Sequence, residues 1–267
     1  MHLFHLFLVA VLQGTTEFLP ISSSGHLILF PALTGFADQG QVIDVAVHVG
    51  TLGAVVLYFW RDVATAIRGV PGLLRWQIDS QETRLALGLV VATIPAVLVG
   101  LVLQLTGWYD ALRSVTVIGW ATLLFGILLY FADRTGQAER ETSDWSLRHA
   151  LILGLWQVLS LIPGTSRSGI AITGARLLGY KREDAARVSM LMSIPLIFAS
   201  GTLLASEVAY TADMQAARDG ALAALFAFIA AFAALALMMR LLRSVSFTPY
   251  VIYRIVLGVG LLVMAYT

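Results

Sequence analysis

The stretch QGTTEFLPISSSGH, residues 13–26, decides how this chain folds, together with a second stretch that repeats its plan, QVLSLIPGTSRSG, residues 157–169. Aligned on Gln13 and Gln157, each runs twelve residues to a glycine, Gly25 or Gly169. That register sets Ser22 against Ser166, Ser23 against Arg167 and Ser24 against Ser168, with Pro20 and Pro163 one place apart. Each stretch is a polar island, broken by Pro and Gly, in a chain that is otherwise nearly all apolar. Together the islands hold a carboxylate, an imidazole, a guanidinium and a cluster of hydroxyls, the groups that phosphate chemistry uses.

Apolar residues make up 58% of the 267 and charged residues 12%, and the mean hydropathy is +0.84. A soluble domain carries about 25% charged residues, so the chain reads as an integral membrane protein. Its net charge of +1 gives no reason to expect a nucleic-acid partner. The absence of cysteine excludes disulfides and thiolate metal ligands. The opening MHLFHLFLVAVLQG has neither a basic region nor a small-residue cleavage site, so no cleaved signal peptide is expected.

Six runs are long and apolar enough to cross a hydrocarbon core of roughly 30 Å, which takes about 20 helical residues. They lie near 42–60, 85–104, 114–132, 188–206, 220–239 and 250–266. The arms beside the islands are too short for this. Residues 3–12 and 27–33 flank the first, and 150–156 and 170–178 the second. Each island therefore reads as the tip of a re-entrant hairpin, which enters the membrane and leaves on the side it came from.

The basic residues test that reading. If both island regions re-enter, one side collects Arg61, Arg68, Arg75, Arg84, Arg134, Arg140, Arg148, Arg176, Lys181, Arg182, Arg187, Arg240 and Arg243. The other side keeps only Arg113 and Arg218, while Arg167 and Arg254 stay at membrane depth. That is 13 against 2, whereas single crossings would split the same residues 8 against 7. The positive-inside rule selects re-entry. It places both termini in the periplasm and the loops near 61–84, 133–148, 176–187 and 240–249 in the cytoplasm.

The expected fold class is thus an all-α polytopic membrane protein made of one integral domain. Residues 1–132 form a first repeat and 148–267 a second, each a re-entrant helical hairpin plus three transmembrane helices. Three is odd, so the repeats have inverted topology and their tips can meet near the midplane. The linker 133–148, DRTGQAERETSDWSLR, is polar and reads as a hinge between them.

Ser, Thr and Gly in ISSSGH and GTSRSG suit helix N-termini, where free N–H groups and the positive dipole end attract anions. Arg167 adds a planar fork of donors that fits phosphate oxygens. A positive charge at bilayer depth costs about 2.5–3.5 kcal/mol, so Arg167 needs a carboxylate, water or an anionic ligand beside it. Glu17 and His26 are nine residues apart, but the break at Pro20 lets their side chains converge into an acid–base pair. Glu17 is alternatively a ligand for a divalent cation, and Ser23 is either the phosphoryl acceptor or a donor to the ligand. Ser22, Ser24, Gly25, Thr165, Ser166, Ser168 and Gly169 are expected to cap helices and hold phosphate. Asp44 and His48, one turn apart, read as interfacial. Arg254, near the end of its span, is expected to snorkel. Trp108, Trp120 and Trp145 read as an aromatic belt, and the Ala-rich run 221–236 as close helix packing.

TEFLPISSSGH (16–26) and PGTSRSG (163–169), with FTPYVIYR (247–254), resemble the signatures of the bacterial undecaprenyl-diphosphatase family. The resemblance covers the whole chain and both signatures are long. It implies an inner-membrane enzyme that removes the terminal phosphate of the C55 isoprenyl diphosphate carrier lipid, recycling it for cell-wall synthesis and conferring bacitracin resistance. It also implies catalytic or phosphate-binding roles for Glu17, Ser23, His26 and Arg167, a divalent cation such as Mg²⁺ or Ca²⁺, access from the periplasmic side and a homodimer. One position departs: the family often reads EGxTEF, with two carboxylates, where this chain has Gln13 before Glu17. A neutral amide is a poor base and a poor ligand for a hard cation, so Gln13 is expected to be structural or to hydrogen-bond the ligand. The competing class is a lipid flippase or a secondary transporter of an anionic substrate, since inverted repeats with broken helices are transporter architecture. An acid–base set beside Arg167 favours hydrolysis.

Overall fold

The computed structural model describes residues 3–35, 40–208 and 214–267. Among these residues every regular element is helical. The helices are α1 (Leu3–Glu17), α2 (Ser23–Thr34), α3 (Gln41–Tyr58), α4 (Trp60–Leu74), α5 (Gln81–Thr106), α6 (Trp108–Ala111) and α7 (Val115–Thr135). After the linker follow α8 (Leu147–Val158), α9 (Arg167–Leu177), α10 (Arg182–Val208), α11 (Met214–Leu241) and α12 (Thr248–Tyr266). Six of them, α3, α5, α7, α10, α11 and α12, are long and apolar enough to cross a membrane, and they coincide with the six expected runs.

Both short pairs are hairpins. At the base of α8–α9 the incoming and outgoing chains touch: Arg140 N donates to Gly179 O at 2.9 Å and Lys181 N to Arg140 O at 2.9 Å. Burial pushes the Tyr180 phenol up to about 12. It therefore stays a donor to His149 Nδ1 at 2.7 Å, again joining the two arms. In the first hairpin His5 of α1 stacks on Phe30 of α2, with centroids 5.7 Å apart. The four basic loops gather around one cavity of about 1120 Å³, lined among others by Arg61, Arg134, Arg182, Arg187 and Arg243. Residues from all four loops thus share one basic surface.

Asp133, at the end of α7, ties this end together. Its buried carboxylate accepts from Arg176 Nε at 3.1 Å, Arg182 Nε at 2.8 Å and the backbone N–H of Phe247 at 3.2 Å. The linker is docked as well, with Thr142 N and Oγ1 donating to Asp184 Oδ1 at 2.8 and 2.6 Å. Sequence reading placed 61–84 in a loop, but α4 occupies most of it. It exposes Trp60, Ile67, Val70 and Leu74 beside Arg61, Arg68 and Arg75, the pattern of a helix lying in a membrane interface. Trp145 also departs from the belt expectation. Its ring packs on Gly88 and the core, while Trp108 and Trp120 remain exposed.

The Ala-rich run does what small residues do in membranes, letting backbones approach closely. Ala223, Ala227, Ala231 and Leu235 of α11 are buried, and α11 packs most extensively on α3 and α1. A Cβ on Gly50 would fall 2.1 Å from Ala224 O, and one on Gly14 would fall 2.6 Å from Ala227 O. Gly50→Val is therefore expected to destabilise the fold by about 2–3 kcal/mol, because neither rigid helix can yield. The check is a thermal melt in detergent.

Candidate active site

The two tips have the same local construction. Each ends in a serine with left-handed backbone just before its outgoing helix, Ser22 at φ 72° and Ser166 at φ 69°. A non-glycine residue rarely takes that conformation. In each, that serine shares a hydrogen bond with the serine two places on, Ser22 to Ser24 at 3.0 Å and Ser166 to Ser168 at 3.2 Å. Ser166 also caps α9 by accepting from Gly169 N at 3.2 Å. The kink aims the first turn of α2 and of α9 at the space between the tips.

Three contacts join the tips directly. Arg167 Nη2 donates to Glu17 Oε1 at 2.6 Å, Gly164 N to Ser24 Oγ at 3.0 Å, and Ser168 Oγ to Leu19 O at 3.0 Å. Beside them lies a cavity of about 280 Å³ whose polar lining includes Glu17, Ser22, Ser23, Ser24, Ser166 and Arg167. Gln13, Gly25, His26, Thr165, Ser168 and Gly169 do not line it. Gln13 and Thr165 are fully buried behind it.

Glu17 is the centre of this site. Oε1 takes the guanidinium, and Oε2 accepts from Gln13 Nε2 at 2.7 Å and Ser23 Oγ at 3.1 Å. His26 is committed elsewhere. Its Nδ1 meets Ser22 O at 2.7 Å and its Nε2 meets Tyr253 Oη at 2.5 Å, with the two rings parallel within 5°. The imidazole on the Glu17 side is His48, which lines the cavity and lies 3.3 Å from Gln13 Nε2. Reading His48 as interfacial fails because the packing of α3 on α1 turns that face inward.

Arg254 is the other residue that sequence reasoning misplaced. It does not snorkel: it is fully buried on α12. Nε donates to Thr122 O at 3.1 Å, and Nη2 donates to Gly164 O at 3.1 Å and Thr165 O at 2.9 Å. Gly126 and Gly169 make room for it, since a Cβ on either would fall 3.0 Å from Arg254 Cβ or 2.8 Å from its Nη1. A charge-assisted fork thus fixes the loop that presents Arg167. Arg254→Met removes the fork while keeping apolar volume. It is expected to lower turnover roughly 30-fold and to lower the melting temperature as well, since it strands the buried carbonyls that the fork satisfies, at about 1–3 kcal/mol for an unsatisfied group. Phosphate release and a melt on the same preparation measure both.

The protein itself offers a divalent cation one carboxylate here, Glu17, and the rest of such an ion's shell would have to come from phosphate oxygens and water. Among the described residues no group of three or more His, Asp or Glu side chains converges. Among the described residues Glu17 is the one carboxylate of the cavity lining, and its oxygens accept from three donors. Gln13 Oε1 is buried without a hydrogen-bond partner, but it is a single neutral oxygen.

Residues 6–260 match the family described as "Bacitracin resistance protein BacA". Proteins called undecaprenyl-diphosphatase from Ruegeria pomeroyi and from Jannaschia sp. are 70% and 65% identical to this chain, over the full length of each. One from Chromohalobacter salexigens is 47% identical over 97% of both chains. With two matched tips, a carboxylate–guanidinium pair between them and this coverage, the chain belongs to the bacitracin resistance protein BacA family.

Proposed function

We propose that this protein hydrolyses undecaprenyl diphosphate to undecaprenyl phosphate and inorganic phosphate, within a multi-pass bacterial inner-membrane fold. The observation that carries the reading is the array Arg167–Glu17–Ser23 on one cavity, flanked by two half-helix N-termini. Relatives of this length and identity bear the name of that activity.

The diphosphate competes with Glu17 for the Arg167 fork, and the N–H groups opening α2 and α9 face its remaining oxygens. Glu17, released from the guanidinium, takes the proton of Ser23 through Oε2 as Oγ bonds to the terminal phosphorus. The bond from that phosphorus to the bridging oxygen breaks, and undecaprenyl phosphate leaves. Water then attacks the phosphoserine phosphorus, the P–Oγ bond breaks as Oγ takes back the proton from Glu17, and both water protons leave with inorganic phosphate as H₂PO₄⁻. His26, whose two ring nitrogens are engaged by Ser22 and Tyr253, holds the start of α2 in place. The expected Mg²⁺ or Ca²⁺ is read as the counter-ion of the diphosphate. The basic loops are assigned to the cytoplasm and the headgroup cavity to the periplasmic side, on the charge asymmetry alone. The two inverted repeats follow from the same asymmetry and from the paired tips.

The test is phosphate release from C55 diphosphate by the purified protein in detergent. Multiple turnovers support the reading. No release, with lipid movement between leaflets in reconstituted vesicles, would establish the flippase alternative instead.

A further inference from the structure

We infer that His48 is a positioning residue for phosphoryl transfer, acting through Gln13 to hold the Glu17 carboxylate; the inference rests on the phosphohydrolase reading above. Gln13 is fully buried, and its NH₂ group is the contact to both neighbours: 2.7 Å to Glu17 Oε2 and 3.3 Å to His48 Nε2. The amide oxygen has no hydrogen-bond partner. The amide therefore gains its orientation from what accepts its two N–H bonds.

The hydrogen bonds decide which form of His48 does this. Its Nδ1 lies 2.7 Å from the carbonyl of Asp44, an acceptor only, so Nδ1 carries the proton. The other nitrogen then has a free lone pair, and it points at the Gln13 NH₂. Rotating that amide by half a turn would set Oε1 against Glu17 Oε2, two acceptors in contact. His48 and Glu17 together thus admit one amide orientation, which supplies Glu17 Oε2 with a donor opposite Ser23. Without the imidazole acceptor one N–H of a buried amide is unsatisfied, the amide is held by Glu17 alone and shifts toward another acceptor, and the carboxylate loses its bearing on the Ser23 hydroxyl. A misplacement of this kind acts on turnover and leaves the Arg167 contact to the headgroup in place.

His48→Leu, His48→Gln, Gln13→Leu and the double variant Gln13→Leu/His48→Leu test this by steady-state phosphate release, with a melt on each preparation. His48→Leu is expected to lower kcat roughly 10- to 100-fold with KM within about threefold of wild type. His48→Gln keeps a neutral side-chain acceptor and is expected to restore kcat to within about threefold. Residues that act as one unit do not add, so the double variant should be no slower than the slower single variant. An unchanged kcat in His48→Leu, additive losses, or a His48→Gln enzyme as slow as His48→Leu would overturn the inference. Should His48→Leu fail to fold, His48→Phe, which keeps a planar ring and offers no acceptor, takes its place with the same expected loss of kcat. A wild-type protein that releases no phosphate would fail the hydrolase reading itself, and the inference with it.

Discussion

Ser23→Ala is expected to reduce phosphate release by about 10³-fold or more, with the KM for the lipid changed little, because it removes the attacking atom and no charge. Ser23 opens α2, so its hydroxyl stands at the positive end of a half-helix and at the rim of the cavity. Its hydrogen bond to Glu17 Oε2, at 3.1 Å, already points the proton at the group that would take it. The loss should be chemical rather than structural, since Glu17 keeps its donors from Gln13 and Arg167 when the Ser23 hydroxyl is removed. A second measurement separates it from His26. Brief incubation with labelled diphosphate followed by acid quench should trap a phosphoprotein in the wild type and none in Ser23→Ala. His26→Ala should slow turnover roughly tenfold and still form the trapped species. Full turnover in Ser23→Ala would sink the assignment of the nucleophile.

Arg167→Ala is expected to act on both activity and stability. Removing one preorganised donor from a developing phosphoryl charge costs about 10²–10³ in kcat. The guanidinium also binds the ground-state diphosphate, so KM should rise with it. The fold suffers separately: Glu17 has only 9% of its side chain exposed and loses its counter-charge. Stranding one partner of a buried pair costs roughly 3–5 kcal/mol. Glu17→Gln in the same chain removes the stranded charge. The double variant should therefore recover most of the melting temperature of Arg167→Ala and none of its activity. Equal melting of the single and double variants would show that the ion pair contributes nothing to the fold.

The six spans and both hairpins were legible because membranes impose length and charge asymmetry, which are one-dimensional. A run of ten apolar residues cannot cross, and thirteen cations do not belong on the outer face. Glu17 and Arg167 were legible as a pair for a related reason: charges at midplane need each other or a ligand. Side-chain direction was not legible. Nothing in the spacing of Glu17 and His26 says that α2 rotates its imidazole toward Tyr253, 227 residues away. His48 and Arg254 each look ambiguous in an apolar helix until packing fixes which face is inside. The interfacial helix α4 was missed because its two arginines, with Arg75 just past its end, resemble a loop when its apolar face is not read at helical spacing. Gln13 reads from the sequence as structural or as a ligand donor; its two acceptors come from α1 and α3, and only the fold brings them together.

The knot at Asp133 bears on the rival reading of this architecture. One desolvated carboxylate joins the last span of the first half to α9, to α10 and to the segment entering α12. An alternating-access cycle rocks one half over the other, opening each face in turn. Here such a swing would have to pull two guanidiniums off a dry anion, at roughly 3–5 kcal/mol per stroke. A molecule stapled at its basic end in this way is suited to reworking a headgroup where it sits, not to ferrying it across.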